Sequence, residues 1–155
     1  MAEIITQSRR EALRTRRGAL IGFTRVVVAS VFITAALPKI VDPASFARDI
    51  ANYEVFPYWS WNLLAGVVPM LEITGAVALV TGWHRRGAAL LLGALTAMFI
   101  ALIGSAIARD LNIDCGCFGQ QALAAEVGWP RLIEDVILLG LICVSNLDAR
   151  RRLQA

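Results

Sequence analysis

Four apolar runs divide the chain, at residues 18–40, 61–83, 87–108 and 130–146, and short polar segments separate them. A bilayer core about 30 Å thick is crossed by about 20 apolar residues of helix, and each run is close to that length. The pattern therefore predicts an all-α membrane protein in which four transmembrane helices form a bundle.

The segment after the first run has a different periodicity. Asp42 and Pro43 are residue types favoured at the N-cap and at the first position of a helix. Phe46, Ile50 and Tyr53 then recur at helical spacing, while the other faces are polar. We predict a short amphipathic helix here, lying at the membrane interface between the first and second spans.

Composition supports a membrane protein. Of the 155 residues, 57% are hydrophobic and 17% are charged, whereas about a quarter of the residues in soluble domains are charged. We predict one membrane domain over residues 18–147, between basic tails at 1–17 and 148–155. The net charge of +3 comes from arginines at the ends of the apolar runs. It indicates a lipid bilayer as the partner and not a nucleic acid.

A cleaved signal peptide is the alternative explanation for the first apolar run. The run is longer than the apolar core of a usual signal peptide, and it contains Arg25. It also ends in Leu37-Pro38-Lys39, without the small residues that a cleavage site needs. We interpret it as a retained helix.

The distribution of basic residues predicts the orientation. Ten of the 15 lysines and arginines lie in the segments 1–17, 84–86 and 148–155, and four lie at the opposite helix ends. Basic residues are concentrated on the cytoplasmic side of membrane proteins. We therefore predict a bacterial inner-membrane protein with both termini in the cytoplasm and the loop between the third and fourth spans in the periplasm.

That loop contains the residues with the clearest chemistry, Cys115 and Cys117, on either side of Gly116. Such a pair can exchange electrons as a dithiol and disulfide, bind a soft metal, or staple a turn. A disulfide across one residue requires a bend, which the glycine allows. We favour thiol–disulfide chemistry, with copper(I) bound by the two thiolates as an alternative. No zinc site is predicted, because His84 and Cys143 fall at the opposite end of the bundle.

Charged residues inside apolar runs are costly, and they usually face a partner or a cavity. Arg25 and Glu72 have opposite charges and similar predicted depths, so we predict a structural ion pair between them, with a proton or quinone site as the alternative. Asp135, early in the fourth span, and Asp114, beside the cysteine pair, are candidates to shuttle the thiol proton. Cys143 is predicted to be a small buried thiol.

Three strings in this chain resemble a known family. They are Leu37-Pro38-Lys39-Ile40-x-Asp42-Pro43, Pro69-x-Leu71-Glu72 and Asp114-Cys115-Gly116-Cys117-Phe118-Gly119. Together they resemble the MauE (methylamine utilisation) branch of the DoxX-like membrane proteins. The resemblance implies a four-helix membrane bundle associated with redox work and a periplasmic thioredoxin-like partner. It also implies a role in the maturation of methylamine dehydrogenase, whose small subunit is rich in disulfides.

Two functions follow from the residues and the resemblance together. The first is a membrane thiol–disulfide oxidoreductase, with Cys115 and Cys117 as its reactive pair. The second is a non-catalytic membrane anchor or chaperone for a redox partner. The residues do not decide whether the chain is an enzyme, and they fix no cofactor. A membrane quinone is one candidate electron acceptor, and a downstream thiol is another.

Overall fold

The computed structural model describes residues 2–109 and 129–146, and within these residues every regular element is helical. There are five α-helices, with one turn of 3₁₀ helix at Tyr58–Ser60 before the third. The α-helices are α1 (Ala2–Val41), α2 (Pro43–Asn52), α3 (Trp61–Thr81), α4 (Arg85–Ala108) and α5 (Trp129–Ser145). The segment 114–119, with the cysteine pair and Asp114, lies outside the described residues.

Three segments are long and apolar enough to cross a membrane: Gly18–Val41, Tyr58–Thr81 and Arg85–Ala108. The chain is therefore a multi-pass membrane protein, and these segments match the first three predicted spans. The basic segment before the first span belongs to the same helix, because α1 already begins at Ala2. The predicted fourth span corresponds to α5, which has 17 residues, and its crossing of the membrane stays a prediction.

The predicted amphipathic helix is present as α2, and its N-terminus has the expected cap. The Asp42 carboxylate accepts a hydrogen bond from the Ser45 backbone N–H at 2.9 Å, and Pro43 occupies the first turn. This satisfies a backbone donor that the helix cannot satisfy itself. Phe46 and Ile50 are buried against α3, so the apolar face of α2 is covered by the bundle.

Two layers of packed side chains show how the helices run. One layer, which we call the Gly82 layer because it lies near the turn between α3 and α4, contains Val28, Phe32, Ala76, Leu79, Leu92 and Ile142. The other, which we call the α2 layer, contains Phe46, Ile50, Val68, Phe99, Ile103 and Leu132. Chain order through the layers shows that α4 runs in one direction and α3 and α5 in the other. α1 runs in the same direction as α4, because it leads from Val28 in the Gly82 layer to Lys39, whose ammonium lies beside the Phe46 ring.

The tight turn between α3 and α4 depends on two residues with positive φ. Gly82 ends α3 at φ 82° and donates its N–H to the Ala78 carbonyl at 3.0 Å. His84, at φ 48°, then precedes α4. A left-handed glycine is a common way to end a helix. The turn places His84 in the Gly82 half of the bundle, away from α2.

Candidate functional site

A buried ion pair joins α1 to α3 in the α2 half of the bundle. The Lys39 ammonium lies 2.6 Å from Glu72 Oε1, and each side chain is 2% exposed. Lys39 is in the last turn of α1, and Glu72 lies in the middle of α3. Isolated charges are rarely buried in a membrane protein, and pairing is what makes their burial tolerable.

The predicted ion pair between Arg25 and Glu72 is wrong, because the partner of Glu72 is Lys39. Arg25 lies 14 residues before Lys39, about 21 Å along the helix axis. Helical side chains lean toward the N-terminus of their own helix. Because α1 and α3 are antiparallel, Lys39 and Glu72 lean toward each other, whereas Arg25 leans further away from Glu72.

Arg25 instead contacts the end of α5. Its Nε and Nη2 donate to the Ser145 carbonyl at 3.2 and 3.1 Å. Carbonyls in the last turn of a helix have no partner within the helix, and a cation there also complements the helix dipole. The role that fits Arg25 is therefore to fix the C-terminal end of α5 against α1.

Two aromatic rings surround the Lys39 ammonium. Its Nζ lies 5.1 Å from the centre of the Phe46 ring on α2 and 5.0 Å from that of Phe99 on α4. These distances are in the range of cation–π attraction. Within the described residues, the only hydrogen bond of this ammonium goes to Glu72 Oε1, and the buried Oε2 atom of Glu72 has no hydrogen-bond partner. Within the described part of the chain, the ion pair thus has an unused donor and an unused acceptor.

Asp135 on α5 extends this charged site to a third long helix. Its side chain is half-buried, and within the described part of the chain its Oδ2 atom has no hydrogen-bond partner. Arg131 and Glu134 on its own helix act on the Asp135 carboxylate electrostatically, and Lys39 does so more weakly. Two carboxylates, those of Glu72 and Asp135, therefore share the influence of Lys39.

A small cleft, with a cavity volume of about 20 Å³, lies beside the ion pair, between α2, α3 and α4. Its lining is apolar and aromatic apart from Asp49, and it includes Phe46, Ile50, Tyr53, Phe56, Met98 and Phe99. Phe46 and Phe99 are also the rings beside Lys39. The ammonium therefore lies directly behind one wall of the cleft.

The end of α4 is hydrogen-bonded to a residue that lines the same cleft. Arg109, the last described residue before the cysteine segment, donates from Nη2 to the Tyr53 carbonyl at 2.5 Å. Tyr53 lines the cleft and packs against Leu102 and Ala106 of α4. The described part of α4 therefore ends beside the cleft.

The other predicted site residues have different outcomes. Cys115, Cys117 and Asp114 lie outside the described residues, so their roles stay predictions. Cys143 was predicted to be buried, and this is wrong: it is exposed, because its neighbours Ile142 and Ser145 occupy the face of α5 that turns toward the bundle. Within residues 2–109 and 129–146, no group of three or more histidine, cysteine or acidic residues could hold a metal ion.

Sequence reasoning did not assign Lys39 to the site, although a signal was present. Lys39 and Glu72 each belong to one of the strings that carried the family resemblance. A lysine near the end of an apolar run is also typical of a residue that extends to the membrane surface. This usual role of a lysine does not suggest an ion pair with Glu72. The pairing depends on contacts between distant parts of the chain.

These features define a multi-pass α-helical membrane protein with a buried ion pair at the core of its bundle. The family model described as methylamine utilisation protein MauE matches residues 17–147. The chain belongs to the MauE family. This confirms the resemblance drawn from the three strings, while the wider DoxX-like affiliation stays a prediction.

Three relatives named methylamine utilization protein MauE agree with the family match. The relative from Paracoccus denitrificans is 31% identical over 128 residues, covering 81% of this chain and 68% of the relative. The one from Methylophilus methylotrophus is 30% identical over 120 residues, covering 77% and 63%. The one from Methylorubrum extorquens is 32% identical over 108 residues, covering 69% and 58%.

The chain thus spans between 58% and 68% of the length of these relatives. No solved structure shows a significant match to it.

Proposed function

We propose that this chain is a membrane redox protein that exchanges disulfides with a periplasmic thioredoxin-like partner. In this way it supports disulfide formation in a client enzyme such as methylamine dehydrogenase. Its membership of the MauE family, whose members are named for methylamine utilisation, supports the choice of client. The single observation that supports the mechanism is the Cys115-Gly116-Cys117 pair. Its first cysteine follows six residues after Arg109, whose side chain donates a hydrogen bond to the Tyr53 carbonyl.

The proposed exchange has two steps. A thiolate of the partner attacks one sulfur of the Cys115–Cys117 disulfide, which breaks that S–S bond and forms a mixed disulfide. The second thiolate of the partner then displaces the chain's sulfur. The partner is left oxidised, and the Cys115 and Cys117 thiols are left reduced. Asp135 and Asp114 are the proposed acceptors and donors of the thiol protons.

The proposed setting is the bacterial inner membrane, with α5 as a fourth span and both chain ends in the cytoplasm. This arrangement places the cysteine pair in the periplasm, where dithiols are oxidised. The concentration of arginine in the segments 1–17, 84–86 and 148–155 supports it.

The second candidate function is a non-catalytic anchor or chaperone for the redox partner. The observation that favours it is the buried Lys39–Glu72 ion pair, which joins α1 to α3 and so can have a purely structural role. In that case the cysteine pair would be structural or would bind copper(I). The two candidates predict different behaviour of the cysteines in cells.

Replacing either Cys115 or Cys117 by serine is expected to trap a mixed disulfide with the partner. Exchange is reversible, so the remaining thiolate can attack the disulfide of the oxidised partner and form the mixed disulfide, but the chain's second thiol, which would displace the reduced partner, is missing. Alkylation of intact cells followed by non-reducing gel electrophoresis should show a larger adduct that reductant removes. Cys143→Ser is the matched control, and it should trap no adduct.

If both serine variants trap no adduct and still support maturation of the client, the oxidoreductase hypothesis fails. The anchor hypothesis would then account for the same membrane position.

Reporter fusions are expected to separate the two sides of the membrane. A fusion after Ala155 should be active only as a cytoplasmic reporter, and a fusion at Gln120 only as a periplasmic one, because the basic segments remain in the cytoplasm. Paired alkaline phosphatase and fluorescent-protein fusions measure this. A cytoplasmic signal at Gln120 would place the cysteine pair in a reducing compartment and remove the basis for oxidation.

A further inference from the structure

We infer that the turn between α3 and α4 binds the head group of an anionic phospholipid, through a surface made of Trp83, His84, Arg85 and Arg86. This inference is independent of the proposed function, because the turn precedes α4 whereas Arg109, the last described residue before the cysteine pair, follows it. The inference adds a class of ligand and the place where it binds.

The turn lies at a membrane surface, because it joins two successive segments that can span the membrane, Tyr58–Thr81 and Arg85–Ala108. The 21 residues of α3 extend about 31 Å, which is close to the thickness of a bilayer core. Exposed aromatic side chains mark both ends of this length, with Tyr58 and Trp59 at one end and Trp83 at the other. Tyrosine and tryptophan are enriched at both membrane–water interfaces. The turn is therefore at the level of the lipid head groups.

The charged surface of the turn is cationic. Arg85 and Arg86 are both exposed at the start of α4. A Cβ atom added to Gly82 would lie 2.6 Å from Nε and from Nη2 of Arg85, so this guanidinium group lies directly over the backbone of the turn. His84 packs edge-on against Trp83, with their ring centroids 5.4 Å apart. An interfacial indole ring and two guanidinium groups are thus carried by four successive residues.

The described acidic side chains do not offset this charge. Within residues 2–109 and 129–146, the acidic side chains that the structure describes all lie in the α2 half of the bundle: Asp42, Asp49, Glu54, Glu72, Glu134 and Asp135. Arg85 forms no ion pair with any of them. Cations are also unfavourable at the N-terminus of a helix, and the first turn of α4 contains no acidic residue. An anion from outside the chain would stabilise this surface.

The position of the surface indicates a lipid as the source of the anion. Guanidinium groups bind phosphate oxygens with paired N–H groups, and the phosphates at head-group level belong to lipids. A zwitterionic lipid has a phosphate but also a quaternary ammonium, which cancels its net charge. Basic residues beside a transmembrane helix attract anionic lipids, and each one near the surface strengthens the attraction about fivefold. The surface therefore favours anionic over zwitterionic phospholipids.

The test uses the full chain in detergent micelles and two probes with the same acyl chains, dioleoyl phosphatidylglycerol and dioleoyl phosphatidylcholine. Native mass spectrometry measures the bound fraction of each lipid. Wild-type protein should bind phosphatidylglycerol at least about fivefold more tightly than phosphatidylcholine. Arg85→Gln should lower the affinity for phosphatidylglycerol about fivefold, whereas Arg85→Lys, which keeps the charge, should retain most of it.

Arg48→Gln is the matched control, because Arg48 is an exposed arginine on α2, in the other half of the bundle. It should leave the affinity for phosphatidylglycerol unchanged. Equal binding of the two lipids by wild-type protein would overturn the inference, and so would equal losses of affinity in Arg48→Gln and Arg85→Gln. Displacement of the lipid by excess glycerol 3-phosphate would show a site for soluble phosphate and would overturn the choice of a lipid.

A second measurement does not depend on the folding of a variant. In nanodiscs that contain phosphatidylglycerol with a photoreactive head group, wild-type protein should be labelled on residues 82–87. Unlabelled phosphatidylglycerol should suppress this labelling, and unlabelled phosphatidylcholine should not. Absence of labelling at the turn, or equal suppression by the two lipids, would overturn the inference.

Discussion

Lys39→Met and Glu72→Gln are each expected to destabilise the protein by about 3–5 kcal/mol, the usual cost of leaving one charge of a buried pair without its partner. Methionine keeps most of the lysine volume, and glutamine keeps the shape of glutamate, so packing changes little. The double variant should cost less than the sum, because it leaves no isolated charge. Thermal unfolding in detergent micelles, combined in a double-mutant cycle, measures the coupling.

Two controls from the same chain make this test specific. Arg131 and Glu134 form an ion pair at 2.6 Å, but the Glu134 side chain is 63% exposed, so Glu134→Gln should change stability by about 0.5 kcal/mol or less. The cycle between Arg25→Gln and Glu72→Gln should be additive, since the two residues do not meet. Additivity between Lys39 and Glu72 would contradict the role of their contact.

Gly75→Ala is expected to destabilise the bundle by about 1–3 kcal/mol, in the usual range for an overpacked core. A Cβ atom at this position of α3 would lie 2.6 Å from Leu92 Cδ2 and 3.0 Å from Leu92 Cγ. Leu92 is fully buried in the Gly82 layer. Neighbouring side chains therefore limit how far it can move, and the close approach of α3 to α4 at this level requires glycine.

Gly66 is the matched control on the same helix, because a Cβ atom added there has no neighbour within 4 Å. Gly66→Ala should stabilise the helix by up to about 1 kcal/mol, through the better helix propensity of alanine. The double variant Gly75→Ala/Leu92→Ala should cost less than the sum of the two single variants, because the shorter side chain makes room for the new methyl group. Equal shifts in melting temperature for the two single alanine variants would show that α3 and α4 are not in close contact.

The charged core of the protein shows why the candidate site was only partly predictable from the sequence. Glu72 was identified as a buried charge from its place inside an apolar run, and the structure agrees that it is buried. Its partner was not identified, because comparing depths treats each side chain as if it stayed level with its Cα atom. Lysine extends well beyond its own turn, and the lean of both side chains closes the gap.

The sequence by itself determined the elements. Long apolar runs can satisfy their backbone hydrogen bonds in a bilayer only as helices, and the cap at Asp42 with Pro43 sets the start of α2 through contacts within a few residues. The three family strings and the cysteine pair are also patterns of neighbouring residues, so the sequence alone contains them.

Only the tertiary structure decided that Lys39 pairs with Glu72, that Arg25 closes the end of α5, and that Cys143 faces outward. It also decided that an aromatic cleft opens beside the ion pair. Each of these depends on which faces of antiparallel helices meet and at what height. Residues from opposite ends of the chain set these quantities together, so no local pattern contains them.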